Sequence, residues 1–287
     1  MKKFLLTLAI LLVATSAFAD DDYVGFLSRL KTTPDEFFMM MKNSWSTGGW
    51  VILGGDHTSS KAKFYDTLTQ MQMALNRGEI DEMILPDFVA DYLLKVNYNY
   101  SRCCISSSGK MGLCFGFMKE NTALRDKWNE ALNSMLSDYT LINLEYKYVK
   151  NIPEDESYDE IYGINRKQRN KEKRIKFERY DDAPTVKVAV TGDLPPVDFI
   201  GEDGLPDGYN VAVLAEIGRR LHVNISLLNI NAGARTAALV SGRADIVFWY
   251  EVNKNLNNQP DVPDDVILSV PYLNWDKFFH VTMTDTE

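Results

Sequence analysis

Residues 186–228, VKVAVTGDLPPVDFIGEDGLPDGYNVAVLAEIGRRLHVNISLL, decide the fold. With Thr185 they open on an apolar, β-branched run, Thr185–Val190, of the kind that forms a buried strand. Gly192-Asp193-Leu194-Pro195-Pro196 breaks that run into a loop, and Gly204–Gly208 makes a second turn. From Tyr209 to Leu221 the residues Val211, Leu214, Ile217 and Leu221 recur at helical spacing. Arg219 and Arg220 fall in the last turn, where cations suit the helix dipole. Asn224–Ile230 reads as the next strand, Ala232–Leu239 as a short helix and Ala244–Trp249 as a third strand. Strands alternating with helices imply an α/β protein with a parallel sheet. Sites in such sheets lie at the carboxyl ends of the strands, here the loops after Val190, Ile230 and Trp249.

Working outward, one pattern occurs twice. ALNRGEID at Ala74–Asp81 and ALVSGRAD at Ala238–Asp245 share Ala-Leu-x-x-Gly-x-x-Asp, and each runs into apolar residues. Each is a helix stopped by a glycine that turns directly into a buried strand. Two copies with identical internal spacing point to two similar α/β lobes.

The N-terminus reads as an export signal. Lys2 and Lys3 precede the apolar run Phe4–Val13, and Ala17-Phe18-Ala19 provides a cleavage pattern, so the mature chain is expected to begin near Asp20. The run is shorter than the roughly 20 residues a membrane-spanning helix needs, so no stable membrane insertion is expected. The 287 residues are 45% hydrophobic and 25% charged, which excludes a disordered or collagen-like chain. The formal net charge of −9 argues against broad nucleic-acid binding. Export permits disulfides, and Ser101–Phe117 reads as strand, Ser/Gly turn, strand. A bridge from Cys103 or Cys104 to Cys114 is therefore expected, with one of the three cysteines left over. Between the two α/β regions, residues 151–184 run from acidic (Glu154–Glu160) to basic (Arg166–Arg179). This stretch is read as a solvated linker, or else as a docking patch for an anionic surface or an acidic partner.

At this point the sequence resembles the class II periplasmic solute-binding proteins, the extracellular family 3 type that commonly binds amino acids. Residues 186–228, ALVSGRADIV and Leu268-Ser269-Val270-Pro271-Tyr272 resemble that family's first lobe. WVILG at Trp50–Gly54, the following Gly55–Ser59, ALNRGEID and Phe88–Leu94 resemble its second lobe. Cys114–Phe117 with Leu124–Leu132 resembles the return strand and closing helices. The second-lobe elements come first in the chain, so the resemblance implies a two-lobed type II fold in circularly permuted order, joined by a hinge. A fragment of a tandem array is the alternative. The expected divisions are 1–19 signal peptide, 20–114 second-lobe-like, 115–150 return strand and closing helices, 151–184 linker and 185–287 first-lobe-like. Crossing strands are expected near Cys114–Met118 and Phe279–Met283.

The resemblance also implies a set of ligand contacts. Thr58 and Ser59 match a loop that cups an anionic ligand group, although either residue serves equally as a helix N-cap. Trp249 and Tyr250 end a strand at the expected cleft, where they either stack on a ligand or pack the core. Glu251 follows them, and Asp193 and Pro196 lie on the neighbouring loop. The family's acidic clamp for an amino group falls near Pro86, with Asp87 one place away. The family's carboxylate-binding Arg has no counterpart in Glu251–Asn258, where Lys254 offers a point charge without the fork. Arg235 is read either as facing the cleft or as snorkelling at the surface. No catalytic motif is present, and no metal or cofactor is expected. The implied function is capture of a small polar solute, an amino acid or similar, between two lobes in the periplasm, with the membrane component of an ABC importer as partner. The alternative is a binding-protein-like module that has lost small-molecule binding and meets another protein.

Overall fold

A computed structural model describes Tyr65 and residues 67–151, 174–201, 204–254 and 262–284. The signal-like N-terminus, Thr58, Ser59 and most of the charged stretch lie outside the described residues. The described chain opens with α1 (Leu68–Asn76), β1 (Met83–Pro86), α2 (Asp87–Val96) and β2 (Tyr100–Met118). Helices α3 (Thr122–Ser137) and α4 (Thr140–Glu145) follow, α4 running into a π-helical turn, Tyr146–Lys150. After the charged stretch come β3 (Thr185–Val190), the short strands β4 (Asp193–Leu194), β5 (Asp198–Ile200) and β6 (Pro206–Asp207), and α5 (Tyr209–Leu221). The chain continues through β7 (Asn224–Asn229), a 3-10 turn Ala232–Ala234, α6 (Arg235–Val240), β8 (Ile246–Asn253), β9 (Val266–Leu268) and β10 (Leu273–Met283). Strand β3 and helix α5 occupy the residues their apolar spacing predicts.

Seven strands form one curled sheet in the order β1-β10-β2-β8-β3-β7, with β9 also paired to β2. The β7-β3-β8 side is parallel, as expected of an α/β unit. The pairs β1–β10, β10–β2 and β2–β8 are antiparallel.

Strand β2 corrects two expectations. Ser101–Phe117 does not turn back on itself but lies within one 19-residue strand. Residues 104 and 114 are therefore separated by about 30 Å along an extended chain, far beyond the reach of a disulfide. Cys114 is a free, buried thiol, and burial pushes its pKa up to about 12. The Ser/Gly composition at 106–109 does not turn the chain because β10 pairs β2 on both sides of it, through Tyr100–Ser107 and Met111–Leu113, and 108–110 are taken up as a register shift within the strand. Tertiary pairing overrides a weak local turn signal.

The repeated pattern is structural. Gly78 and Gly242 both stop a helix, with φ of +69° and +68°. Gly78 N–H bonds Leu75 O at 3.0 Å, and Gly242 N–H bonds the equivalent Leu239 O at 2.9 Å. Each turn delivers the chain into a strand of the shared sheet.

The Ser269–Tyr272 segment explains its own residue types. Ser269 Oγ accepts a hydrogen bond from Phe115 N–H at 2.9 Å. Tyr272 O–H donates to Phe248 O, and Tyr209 O–H donates to Tyr272 O. Tyr272 also stacks on Phe115 at 4.5 Å. The segment thus bolts the step from β9 to β10 onto β2, β8 and α5. Below it Phe115 and Phe117 pack edge-on to the fully buried Trp128 of α3. The end of the charged stretch is tethered too: Ile175 and Phe177 pack on the core while Arg174 and Lys176 stay exposed. That alternation docks 174–177 against the core.

Candidate functional site

The register of the sheet creates the site. Pro86, ending β1, stands opposite Phe278 of β10. Asn253, ending β8, stands opposite Met111, itself opposite Trp275 of β10. Strand β1 runs towards Trp275 from one side and β8 from the other, so their carboxyl ends point at each other along the β2–β10 ribbon. Between them the ribbon's register is irregular: Ser107 pairs Lys277 and Met111 pairs Trp275, so β2 spends extra residues there. Further register shifts fall at His280/Val281 in the β2–β10 pairing and at Cys114/Gly116 in the β2–β8 pairing, within the expected crossings at Phe279–Met283 and Cys114–Met118.

A groove of about 560 Å³ lies over this meeting point. Its floor is Met111, Leu273 and Trp275, with Phe88 holding Trp275 edge-on at 5.3 Å. Its rim is charged. Asp87 and Asp91 come from α2 and Asp276 from β10, while Lys110 and Lys254 adjoin each other through a 2.7 Å Lys254 N–H to Lys110 O bond. Lys95 donates to Lys150 O, Lys150 pairs Glu145, and Asp91 pairs Arg102.

Asp87 is brought into this groove as the first residue of α2. Burial pushes its carboxyl up to about 6, with Asp91 and Asp276 adding to the rise, against the Phe88 N–H bond and Lys277. Glu251 holds the same place in the second copy of the repeat. It lies 164 residues after Asp87, the separation between Asp81 and Asp245. Burial pushes its carboxyl up to about 7, opposed by Arg235.

The other expected residues gather behind the β8 strand end. Trp249 and Tyr250 are both buried, in separate apolar clusters at an irregular point of β8, and neither lines the groove. Tyr250 lies against Gly116, where a Cβ would come within 2.3 Å of its ring, and its hydroxyl meets Thr236 Oγ1 at 3.1 Å. Arg235 is 4% exposed, which overturns the surface-snorkelling reading. Its Nη1 donates to Trp249 O at 2.6 Å, and its guanidinium lies 4.1 Å from the Trp249 ring centre and 5.2 Å from that of Tyr250. The repeat carries the signal that would have placed it, because Arg235 corresponds to the fully buried Met71. Asp193 is partly buried, and burial raises its carboxyl against the pull of Thr191 and Arg235. Pro196 is buried, its carbonyl accepting Tyr209 N–H. Asp198, which sequence reasoning passed over, is fully buried and pushed up to about 6. It accepts Thr191 N–H and Oγ1–H on Oδ2.

Among the described residues no group of His, Cys, Asp and Glu is arranged to hold a metal ion, and no helix is long and apolar enough to cross a membrane.

Residues 186–261 match the family of bacterial extracellular solute-binding proteins, family 3. The match runs from β3 through β8 and contains Asp193, Pro196, Arg235, Trp249, Tyr250 and Glu251, so the family resemblance holds over the stretch that first suggested it. No curated protein sequence matches the chain. Among solved structures the chain is similar to the binding protein AgaA of A. tumefaciens R10 in complex with agropinic acid. That pair shares 9% identity, covers 77% of this chain and 54% of the other, and has a TM-score of 0.39. It is also similar to the ABC transporter-associated periplasmic binding protein DppA from Helicobacter pylori in complex with the peptide STSA (18% identity, 67% and 36% covered, TM-score 0.34). A third is a dipeptide-binding protein from Pseudoalteromonas sp. SM9913 in complex with Met-Leu (10% identity, 76% and 53% covered, TM-score 0.39). The chain spans about half of these neighbours' length or less.

Proposed function

We propose that this chain is an exported solute-binding protein of the family 3 type that holds a small polar solute between two lobes, without chemistry. The observation that carries this reading is the meeting of the β1 and β8 carboxyl ends over one groove. Ligand sites of α/β sheets form at such ends. In this reading the two halves of the sheet are lobes in permuted order, and the long strands β2 and β10, which run through both halves and carry the register shifts, are the hinge about which they close. The family match in the later part of the chain, preceded by the elements of the other half, supports that order.

Asp87 takes a cationic group of the solute, and Lys110 and Lys254 take an anionic one in place of an Arg fork. Glu251, with Asp193 and Pro196, is proposed to meet the solute from the other lobe when the lobes close, backed by the buried Trp249 and Tyr250, with Arg235 bracing them. Thr58 and Ser59, outside the described residues, are proposed as further contacts to the anionic group. The N-terminal signal sends the chain to the periplasm, where an ABC importer's membrane component would receive the loaded protein.

The test is a thermal-unfolding screen of refolded, ligand-free protein against amino acids, peptides, polyamines, sugars and organic acids. A solute at 100 times its Kd adds about 2.7 kcal/mol. For a chain of this size that raises Tm by roughly 5–10 °C. Asp87→Asn and Thr58→Ala are expected to lose most of that shift. A cooperative melt with no shift across the whole panel would sink the reading.

A further inference from the structure

Helix α4 and the π-helical turn after it have two unlike sides. On the inner side Leu141 and Val149 are buried, and Glu145, Val149 and Lys150 line the groove. On the outer side Tyr139, Ile142 and Tyr146 are 66%, 49% and 61% exposed, and their spacing of three and four residues puts them on one face. Leu136, in the last turn of α3, is 55% exposed and stands three residues before Tyr139. Single exposed apolar side chains need no explanation, but a run of them along one helix face marks an interaction surface. Tyr139 also holds a φ of +65°, rare for a bulky residue, while remaining mostly exposed.

One stretch of the chain starts beside this face. Residues 152–173 leave Asn151, the residue after the π-helical turn, and return at Arg174. The docked end beyond them approaches the other end of α4. Tyr180 packs on His222 with ring centres 3.8 Å apart, and Arg220, two residues before His222, donates to Asp138 Oδ2 at 2.6 Å and to Thr140 Oγ1 at 2.9 Å. The stretch therefore starts at the carboxyl end of α4 and comes back towards its amino end. From Tyr139 to Tyr146 is about 10 Å along the helix axis, and seven extended residues beyond Asn151 reach about 23 Å. The two halves of the stretch differ in what they can cover. Residues 152–164 include Ile152, Tyr158, Ile161, Tyr162 and Ile164, with five acids and no Lys or Arg, whereas residues 165–173 include no large apolar side chain. Lys147, next to Tyr146, is exposed and offers a cation close to where the acidic half departs.

We propose that the acidic half of this stretch, Pro153–Ile164, docks on the outer face of α4, with Tyr158, Ile161 and Tyr162 seated on Tyr139, Ile142 and Tyr146 and with its acids beside Lys147. It then braces one wall of the groove from behind and is not a passive connection between the two halves. This does not rest on the solute-binding reading, and its test uses no solute.

The full chain is compared with Tyr158→Ser/Ile161→Ser/Tyr162→Ser and, from the opposite side of the contact, with Ile142→Ser/Tyr146→Ser. The second variant changes only exposed residues, so its core stays intact. The readouts are cleavage by an endoprotease specific for acidic residues, well below each chain's melting range, and hydrogen exchange in α4. Docking predicts that Glu154–Glu160 is cut at least tenfold more slowly in the wild type than in either variant, and that α4 amides exchange at least tenfold faster in the first variant. Equal cleavage of all three chains overturns the proposal. So does α4 exchange that the first variant leaves unchanged, or that slows with rising protein concentration, because another segment or a second copy would then cover the face.

Discussion

At the residue scale, the site's acids are held against their preference for water. Glu251 has a folded pKa of about 7, raised by burial above its ordinary value near 4.5. A carboxyl raised in the fold binds more protons there than in the unfolded chain, so its contribution to stability falls as pH rises through the interval between the two values. Asp87 and Asp198, each pushed to about 6, act in the same direction. The charged groups shifting Glu251 and Asp198 are Arg235 and Asp193 respectively. Urea midpoints measured from pH 4.5 to 7.5 are expected to fall for the wild type and to fall less steeply for Glu251→Gln. Equal slopes would show that the Glu251 carboxyl is not raised in the folded protein. Arg235 was the hardest residue to read, because a lone Arg on a short helix has the same local sequence whether it faces water or two aromatic rings.

At the element scale, the two helix-glycine-strand turns behave as one device used twice. Nothing lies within 4 Å of a Cβ built on Gly78 or Gly242, so only the positive φ requires glycine there. Gly78→Ala and Gly242→Ala should therefore cost similar amounts, about 1–2 kcal/mol each. Chemical denaturation of the two variants checks this, and a difference above about 1 kcal/mol would argue that the turns are not equivalent. These turns, β3 and α5 were legible because apolar spacing and glycine placement are local signals. Strand β2 was not, because Ser, Gly and Lys at 106–110 signal a turn unless a neighbouring strand holds the chain extended on both sides of them. Strand β10 does so, pairing residues 100–107 and 111–113.

At the scale of the whole molecule, β2 and β10 run through both halves of the sheet, and Ser269–Tyr272 ties β9, β2, β8 and α5 into one core. Neither half can lose its strands without disturbing the other. Unfolding in urea is expected to be a single transition, with tryptophan fluorescence and far-UV circular dichroism superimposing. Two separable transitions would mean that the halves are independent units joined by a passive ribbon.

By itself the sequence determined the class of fold, the repeated helix-to-strand turn, the family pattern over the last third and the position of Asp87 beside a strand end. All of these rest on spacing within ten or fifteen residues. Only the tertiary structure decided that β1 and β8 point at each other, that Lys110, Met111 and Trp275 lie between them, that Cys114 stays unpaired, and that Arg235 is buried. Those outcomes depend on register between strands more than 100 residues apart in the chain, such as β2 and β8. No local periodicity carries that register, because cross-strand pairing and burial set it only when the strands meet.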